Sequence, residues 1–317
     1  MNLFRLLVLA LLFPLNAIAQ AYPSKPVRVI VPFAPGGGSD FIARFIAQRL
    51  SGTLGQQFVV ENRGGAGGTI GVEQGVKSAP DGYTLTLISN SYTVNPSLYK
   101  VKFDPLADIS AVIQISQGPY LVVVHPSLPV QNMAELVALA KSDPQRINFA
   151  SSGNGSLVHL GSEMLAAMAG FKLNHVPYKG TGPALQDTIG GQTNAFLGST
   201  AATLPHVRSG RLRGLAVTTS QRFAAEPGIP TVAESGVPGY EVVLWHGFIA
   251  PKGVPAPIVE RLNAEVNKIL QLPETAGQLQ NDGVSPAGGR PGQFLAAITR
   301  EIGIWRKVVQ DAGVKTE

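Results

Sequence analysis

The chain has 317 residues, of which 44% are hydrophobic and 14% charged; this excludes a wholly disordered protein and predicts about two domains of ~150 residues each. The 25 basic residues only slightly exceed the 20 acidic ones, and no run of five Lys or Arg occurs, so we expect no nucleic-acid partner. Without cysteine, and with five histidines far apart in the sequence, we expect no disulfide, no thiolate nucleophile and no metal site.

The N-terminal residues 1–19 are predicted to form a signal peptide. An arginine supplies positive charge, Leu6–Leu15 forms an apolar core, and Ala17–Ala19 fits the small-residue cleavage rule. The alternative is an uncleaved membrane anchor, but the apolar core is too short for a spanning helix of ~20 residues. We therefore expect cleavage after Ala19, a mature chain that starts at Gln20, and a periplasmic location.

Strand and helix patterns alternate along the mature chain. Apolar residues at period two predict a first strand over Val27–Phe33, and apolar residues at helical spacing follow from Phe41 to Leu50. Asn132 and Glu135 form a capping-box pattern before another helix, and two long helices are predicted near the C-terminus. The alternation predicts an α/β fold with mainly parallel sheets. The other predicted strands are Phe58–Glu61, Tyr83–Ser89, Tyr120–His125, Ile147–Ser151, His175–Tyr178, Ala195–Leu197 and Leu212–Thr219.

Five polar loops follow predicted strands. In open α/β sheets, ligands bind at the carboxyl ends of strands, so these loops are candidates for lining a binding site. They are rich in Gly, Ser, Thr and Asn and contain one cation, Lys179, and one carboxylate, Asp40. The loops are Pro35–Asp40, Ser89–Thr93, Ser151–Ser156, Lys179–Thr181 and Gly198–Thr200.

The glycine-rich loop Pro35–Asp40 joins the first strand to the first helix. Its glycines permit close backbone approach, and the helix N-terminus adds partial positive charge, so the loop is a candidate anion site. The same pattern also fits a turn capped by Ser39 or Asp40 with no ligand. The loop lacks the GK[ST] ending of a P-loop and the GxGxxG spacing of a dinucleotide site, so no nucleotide cofactor is expected.

The remaining candidate residues allow two interpretations each. The loop Ser151–Ser156 offers hydroxyls and an amide to a second polar group, or it is a tight turn with a helix cap at Ser156. Asn90 and Lys179 fit a ligand contact and an ordinary loop position equally well. His246 lies in an apolar strand beside Trp245, and there a core histidine is favoured over a ligand contact.

No catalytic constellation is present in the sequence. GxSxG is missing, and His159 with Glu163 has the spacing of a simple helix-surface pair. Because no nucleophile and no acid–base pair can be nominated, we expect a binding protein rather than an enzyme.

Several segments resemble the Bug family of extracytoplasmic solute-binding proteins, the TctC-like receptors of tripartite tricarboxylate transporters. The segments follow one another in the family's order over nearly the whole mature chain. They include YPSKPVRVIVPFAPGGGSDFIAR (22–44), VENRGGAGGTIG (60–71), NFASSGNGS (148–156), HVPYKGTGPALQD (175–187), LPHVRSGRLRGLAVT (204–218) and PTVAESGVPGY (230–240). The resemblance implies a type II periplasmic-binding-protein fold, with two α/β lobes and a ligand cleft between them.

The resemblance also implies an organisation and a function. The chain would cross between the lobes near Gln117–Val122 and near Val217–Gln221, so that lobe one holds 20–118 and 221–317 and lobe two holds 119–220. Hinge closure would bury a small carboxylate: a di- or tricarboxylate, an aromatic acid or a similar compound. Membrane transporter subunits would receive it. A sensor for a membrane signalling protein and an exported hydrolase or lyase are the alternatives, and we expect a monomer without cofactors.

Site residues are carried over from the family onto matching positions. A carboxylate would meet the loop Phe33–Ser39, and lobe two would close over it, while Asp40 and Arg44 brace the first helix. The implied ligand-binding residues are Phe33, Pro35, Gly36, Gly37, Gly38, Ser39, Asn90, Ser91, Ser151, Ser152, Asn154, Ser156, Tyr178, Lys179, Gly198 and Ser199.

One segment departs from the family pattern. Many relatives have an Asp-containing loop before the LPHVR motif, where this chain has Phe196–Thr200. The missing Asp predicts a ligand without an ammonium group, and Gly198 is expected to leave extra room for it.

Overall fold

A computed structural model of the chain describes residues 22–281 and 283–312, so the predicted signal peptide lies outside the described residues. The strands are β1 (Val27–Val31), β2 (Phe58–Asn62), β3 (Thr84–Ser89), β4 (Ile109–Val124), β5 (Asn148–Ser151), β6 (Asn174–Pro177), β7 (Ala195–Ser199), β8 (Arg213–Val217), β9 (Val243–Pro251) and β10 (Ser285–Pro286). The α-helices are α1 (Gly38–Leu54), α2 (Thr69–Val76), α3 (Ser91–Leu98), α4 (Met133–Ser142), α5 (Leu157–Ala169), α6 (Thr181–Ile189), α7 (Thr200–Arg208), α8 (Ala256–Gln271), α9 (Pro273–Asn281) and α10 (Pro291–Ala312).

Strand β4 is much longer than the sequence pattern predicts. It has 16 residues and begins at Ile109, whereas the predicted strand begins at Tyr120. Polar residues interrupt the apolar alternation in the first half of β4. The sequence pattern therefore does not predict a strand there. The predicted capping box is confirmed at α4, where the Asn132 side chain accepts a 2.9 Å hydrogen bond from the Glu135 N–H.

The prediction of mainly parallel sheets is wrong. Strands run in the order β2-β1-β3-β9-β4-β7-β5-β6, with β8 and β10 paired to β4. The pairs β1–β2, β1–β3, β5–β6 and β5–β7 are parallel, as βαβ units require. Every pair made by β4 or β9 is antiparallel. These two strands join the two parallel halves, so they are not part of a βαβ crossover.

Strand β4 passes from one half of the sheet to the other. Its residues 109–119 pair with β9, and residues 120–124 pair with β7 and β8. The two halves carry the two α/β lobes. The change of partner between Pro119 and Tyr120 lies within the segment Gln117–Val122, where the first crossing is predicted.

The contacts around β8 argue against a second crossing near Val217–Gln221. The Val232 N–H donates to the Val217 carbonyl at 2.9 Å, and Tyr240 Oη donates to the Gly161 carbonyl in α5 at 3.0 Å. The segment after β8 therefore stays with lobe two until β9 begins. We propose that the second crossing lies at about residue 242 and that lobe two covers residues 120–242.

Apolar faces of the helices cover the sheet. On α8, the buried residues Val259, Leu262, Val266 and Ile269 recur at helical spacing. Each fully buried side chain of this size contributes roughly 1.5–3 kcal/mol to folding. Within the described ranges, none of the helices is both long and apolar enough to span a bilayer.

Candidate functional site

A cavity of about 110 Å³ lies between the two lobes. Lobe one contributes the loop after β1, the end of β3 and the first part of β9, and lobe two contributes the loops after β5, β6 and β7. The cavity is lined by Phe33, Ala34, Pro35, Gly37, Gly38, Ser39, Ser89, Ser91, Tyr120, Ser152, Leu157, Val158, Lys179, Gly180, Thr181, Gly182, Pro183, Ser199, Leu244 and His246.

Each of the five predicted loops contributes at least one residue to this lining. The predicted ligand-binding residues found there are Phe33, Pro35, Gly37, Gly38, Ser39, Ser91, Ser152, Lys179 and Ser199. Parallel strands bring their carboxyl ends to one edge of each half of the sheet, which places loops distant in sequence side by side. That these residues contact a ligand stays a prediction.

The other predicted residues, Gly36, Asn90, Ser151, Asn154, Ser156, Tyr178 and Gly198, are not in the lining, and hydrogen bonds within the protein engage most of them. Asn90 is buried, donates to the Val243 carbonyl at 2.7 Å and accepts from the Trp245 N–H at 2.9 Å. The Ser156 hydroxyl caps α5 by accepting from the His159 N–H. Tyr178 Oη donates to Asp187 at 2.7 Å. Their contact with a ligand also stays a prediction.

The expectation that Gly198 leaves extra room is wrong. A Cβ atom at this position would lie 2.6 Å from the Phe196 ring and closer still to the Thr203 methyl group. Gly198 lies within β7, and these two side chains fill the space beside it. The glycine therefore permits close packing within lobe two and adds no volume to the cavity.

The loop before α1 is held by Asp40, as predicted. Gly36 has a φ of +87°, a left-handed conformation that glycine tolerates, and its N–H donates to Asp40 Oδ2 at 3.0 Å. Arg44 and Asn62 also donate to this carboxylate, at 3.0 and 2.9 Å. Burial alone would raise the pKa of Asp40, and these hydrogen bonds lower it below its usual value. The negative charge is thus held by its own partners and does not line the cavity.

The N-terminal ends of five helices border the cavity. Residues of the first turn, or the residue that precedes it, line the cavity from α1, α3, α5, α6 and α7. The first turn of a helix has free N–H groups and partial positive charge. The residues before α1, α6 and α7, which are Gly37, Gly180 and Ser199, provide no side-chain cap for these groups. The arrangement favours an anion.

Side chains reinforce this electrostatic preference. Lys179 is the only formally charged residue among those that line the cavity. Ser199 is 7% exposed, and its hydroxyl has no hydrogen-bond partner among the described residues. That hydroxyl lies 3.7 Å from where a Cβ of Gly38 would be, so it stands beside the N-terminus of α1. A hydroxyl and the N–H groups of α1 therefore face the same space from opposite lobes.

His246 lines the cavity, whereas the sequence favours a core position for it. It is 2% exposed, and its Nδ1 lies 3.1 Å from Ser116 Oγ on the neighbouring strand β4. Burial lowers the pKa of His246 to about 4, so the ring is neutral at pH 7. The signal in the sequence was the alternation along β9, which places Leu244 and His246 on the face opposite to Trp245.

A pair of histidines, His159 and His175, contacts the loop Ser151–Ser156. His175 and His159 stack with ring centroids 3.8 Å apart, and Ser151 Oγ lies 2.5 Å from His175 Nε2. The Gly155 N–H donates to His159 Nδ1, and Glu163 lies 3.4 Å from His159 Nε2. Burial and the neighbouring His159 lower the pKa of His175 to about 4. Since Ser151 is buried and outside the lining, this serine–histidine contact supports the loop and does not face a substrate.

Within the described residues, the other candidate sites lack the groups that would bind a metal ion or an anion. No group of three His, Cys, Asp or Glu side chains able to hold a metal ion is found in the described part of the chain. A larger depression, of about 570 Å³, is lined in part by Gln117–Pro119, just before β4 changes partner, and by Thr219–Ala225, which follow β8. No helix begins at it, and Arg222, its positive residue, is paired with Glu234 at 2.9 Å. The smaller cavity between the lobes is therefore the candidate site.

Comparison with known proteins links this cavity to a class of binding protein. The sequence model of the "Tripartite tricarboxylate transporter family receptor" matches residues 42–314. The structure of Rpa4515 from R. palustris with adipate has a TM-score of 0.89 and 36% identity, covering 93% of this chain and 99% of that one. The periplasmic binding protein BugD has a TM-score of 0.88 and 35% identity, covering 93% and 100%.

A third structure, MatC from Rhodopseudomonas palustris with bound malate, has a TM-score of 0.85 and 31% identity, covering 91% of this chain and 100% of that one. Together these similarities confirm the predicted two-lobed periplasmic-binding-protein fold.

Proposed function

The chain belongs to the tripartite tricarboxylate transporter receptor family, the predicted Bug family of solute-binding proteins, and from that premise we propose that it captures a small carboxylate in the periplasm and delivers it to a membrane transporter. The convergence of five helix N-termini on a cavity without an acidic side chain is the observation that carries the proposal. Positive partial charges in a partly dehydrated site stabilise an anion more strongly than they do in water.

The nature of the anion follows from the donors. N–H groups, hydroxyls and one ammonium group suit the oxygen atoms of a carboxylate. Apolar side chains such as Phe33, Leu157 and Leu244 line the same cavity and suit a short carbon skeleton. Two structural relatives contain adipate and malate, which have this composition. We propose that the lobes close over such a ligand and that the transporter recognises the closed form.

Binding is tested by a thermal-shift panel on the chain from Gln20 onward, followed by calorimetry. The panel holds adipate, malate, a tricarboxylate, an acidic amino acid and an aromatic acid, with sulfate and chloride as anion controls. A ligand at 100 times its Kd adds about 2.7 kcal/mol of stability, which corresponds to several degrees at this size. A shift with one class of carboxylate and no turnover of that compound supports a receptor, whereas conversion of the compound overturns this function in favour of an enzyme.

Delivery and location are tested in the host cell. We expect the protein in an osmotic-shock fraction, with Gln20 as its N-terminal residue after cleavage following Ala19. Deletion of the gene should abolish uptake of the labelled carboxylate. Reintroduction of the wild-type gene should restore it. Normal uptake together with a lost transcriptional response to the carboxylate would overturn delivery and favour a sensor.

A further inference from the structure

His246 lines the cavity, and one of its ring nitrogens has no hydrogen-bond partner among the described residues. Along β9, Leu244 and His246 line the cavity, and Trp245 between them points away, where its Nε1 donates to Glu301 at 2.7 Å. The Nδ1 of His246 is paired with Ser116 Oγ, and no residue in the described ranges forms a hydrogen bond with Nε2. His246 is 2% exposed, and its Nε2 is thus available to hydrogen-bond a ligand that enters the cavity.

The pairing with Ser116 determines which nitrogen of His246 bears the proton. Ser116 is fully buried. Among the described residues, its hydroxyl forms a hydrogen bond with His246. If Nδ1 donated the hydrogen bond, the Ser116 O–H would be left buried without an acceptor, which is unfavourable. The Ser116 O–H therefore donates to Nδ1. In a neutral imidazole this places the proton on Nε2, so His246 offers an N–H donor to the cavity.

This donor lies away from the hydroxyl of Ser199. On β4, His246 pairs with Ser116 and Ser199 pairs with Tyr120. These two positions are four residues apart, about 13 Å at the rise of a strand. Leu244 and Tyr120 also line the cavity and add apolar surface to it. A ligand that meets both donors must carry an acceptor at each end of an apolar stretch.

We propose that His246 is a specificity-determining residue that donates its Nε2–H to the second acceptor of the ligand, and that Ser116 is the positioning residue that holds it in this tautomer. This inference rests on the proposed function and deepens it, since it assigns the ligand to the dicarboxylates. The buried ring is neutral at pH 7, so it selects by hydrogen bonding and adds no positive charge.

The test compares two ligands of six carbons, adipate and hexanoate, which differ in whether the second end is a carboxylate or a methyl group. In calorimetry, the wild-type chain is expected to bind adipate more tightly. His246→Phe should weaken adipate binding by about 10- to 100-fold, the range expected for a hydrogen bond to a charged group. Hexanoate binding should change by less than about threefold. His246→Gln keeps an N–H donor at a similar reach and should restore most of the adipate affinity.

Nitrogen-15 NMR of the histidine rings gives a readout that needs no ligand. The spectrum of His246→Gln identifies the resonances of His246 by their disappearance. We expect the Nε2–H tautomer in the wild-type chain, and a mixture of tautomers with weaker adipate binding in Ser116→Ala. A wild-type ring protonated at Nδ1, or at both nitrogens at pH 7, overturns the inference even if His246→Phe does not fold.

The outcomes also separate this inference from the proposed function. Wild-type binding of adipate that His246→Phe leaves unchanged, or an equal loss for adipate and hexanoate, overturns the role of His246 and leaves the receptor function standing. Failure of the wild-type chain to bind any carboxylate of the panel overturns the receptor function and, with it, this inference.

Discussion

Tyr99 and Asn154 join the two lobes across the cleft. The Tyr99 hydroxyl, just after α3, donates a 2.7 Å hydrogen bond to the Asn154 carbonyl in the loop between β5 and α5. Leu98 and the Tyr99 ring also border the space beside Gly155, so the contact extends beyond one bond. Because the bond links the lobes themselves, it stabilises the arrangement in which they lie together.

We expect Tyr99→Phe to weaken adipate binding by about 2- to 10-fold, since one neutral hydrogen bond contributes about 0.5–1.5 kcal/mol. Its loss disfavours the closed arrangement that binds ligand. Calorimetry measures the affinity, and small-angle scattering measures whether the ligand-free variant is more extended. Tyr83→Phe is the matched control, because its hydroxyl bonds to Ser24 within lobe one. Equal affinities for wild type and Tyr99→Phe would show that this bond does not bias closure.

Lys179 is the cation of the cavity. We expect Lys179→Gln to weaken adipate binding by about tenfold at low salt, because a unit charge pair at 4 Å is worth between about 1 and 4 kcal/mol, depending on the surroundings. The effect should shrink as salt rises from about 50 to 500 mM, because ions screen an exposed charge. Lys172→Gln, an exposed lysine of the same lobe outside the lining, is the control. A loss that does not depend on salt would indicate a role other than charge.

Ser199→Ala should separate binding from stability. The hydroxyl of Ser199 has no partner in the described structure, so its removal breaks no bond of the folded chain, and the free energy of unfolding should stay the same or rise slightly. Adipate affinity should fall by about 5- to 10-fold. Ser162→Ala should do the reverse, because that buried hydroxyl donates to the Val158 carbonyl at 2.7 Å and lies outside the cavity. Unchanged affinity in Ser199→Ala would remove Ser199 from the site.

Local signals predicted much of this architecture. The Asn132 cap, the Ser156 cap and the bracing of the first loop by Asp40 depend on residues close in sequence, so their patterns are visible without the fold. The five loops that line the cavity are predictable because each follows a strand. The same reasoning could not tell which atoms of each loop face the cavity.

Other features depend on pairing between residues distant in sequence. The first half of β4 is a strand because β9 lies beside it, and its own polar residues obscure the pattern. His246 belongs to the cavity because of its position on β9 between β3 and β4, which a histidine in an apolar run does not reveal. The sequence predicts open space beside Gly198. The packing shows that the side chains of Phe196 and Thr203 fill that space. These are properties of tertiary packing rather than of local preference.

The partly buried carboxyl of Glu301 should make stability depend on pH. Burial raises the pKa of Glu301, and hydrogen bonds from Trp245 and Thr93, at 2.7 and 3.1 Å, only partly oppose this. The folded state therefore binds this proton more tightly than the unfolded chain does. Its contribution to stability is fully present below the unfolded pKa of about 4.5 and is lost as pH rises through the folded value.

Glu301→Gln keeps an acceptor for the Trp245 N–H and removes the ionisation. The free energy of unfolding of the variant, minus that of wild type, should therefore increase from pH 4.5 to pH 8. Urea denaturation at several pH values measures the difference, and Glu260→Gln, at an exposed position on α8, reports what the removal of a surface carboxylate does. A difference that is constant or falls with pH would show that the folded chain accommodates the charged form of Glu301 without penalty.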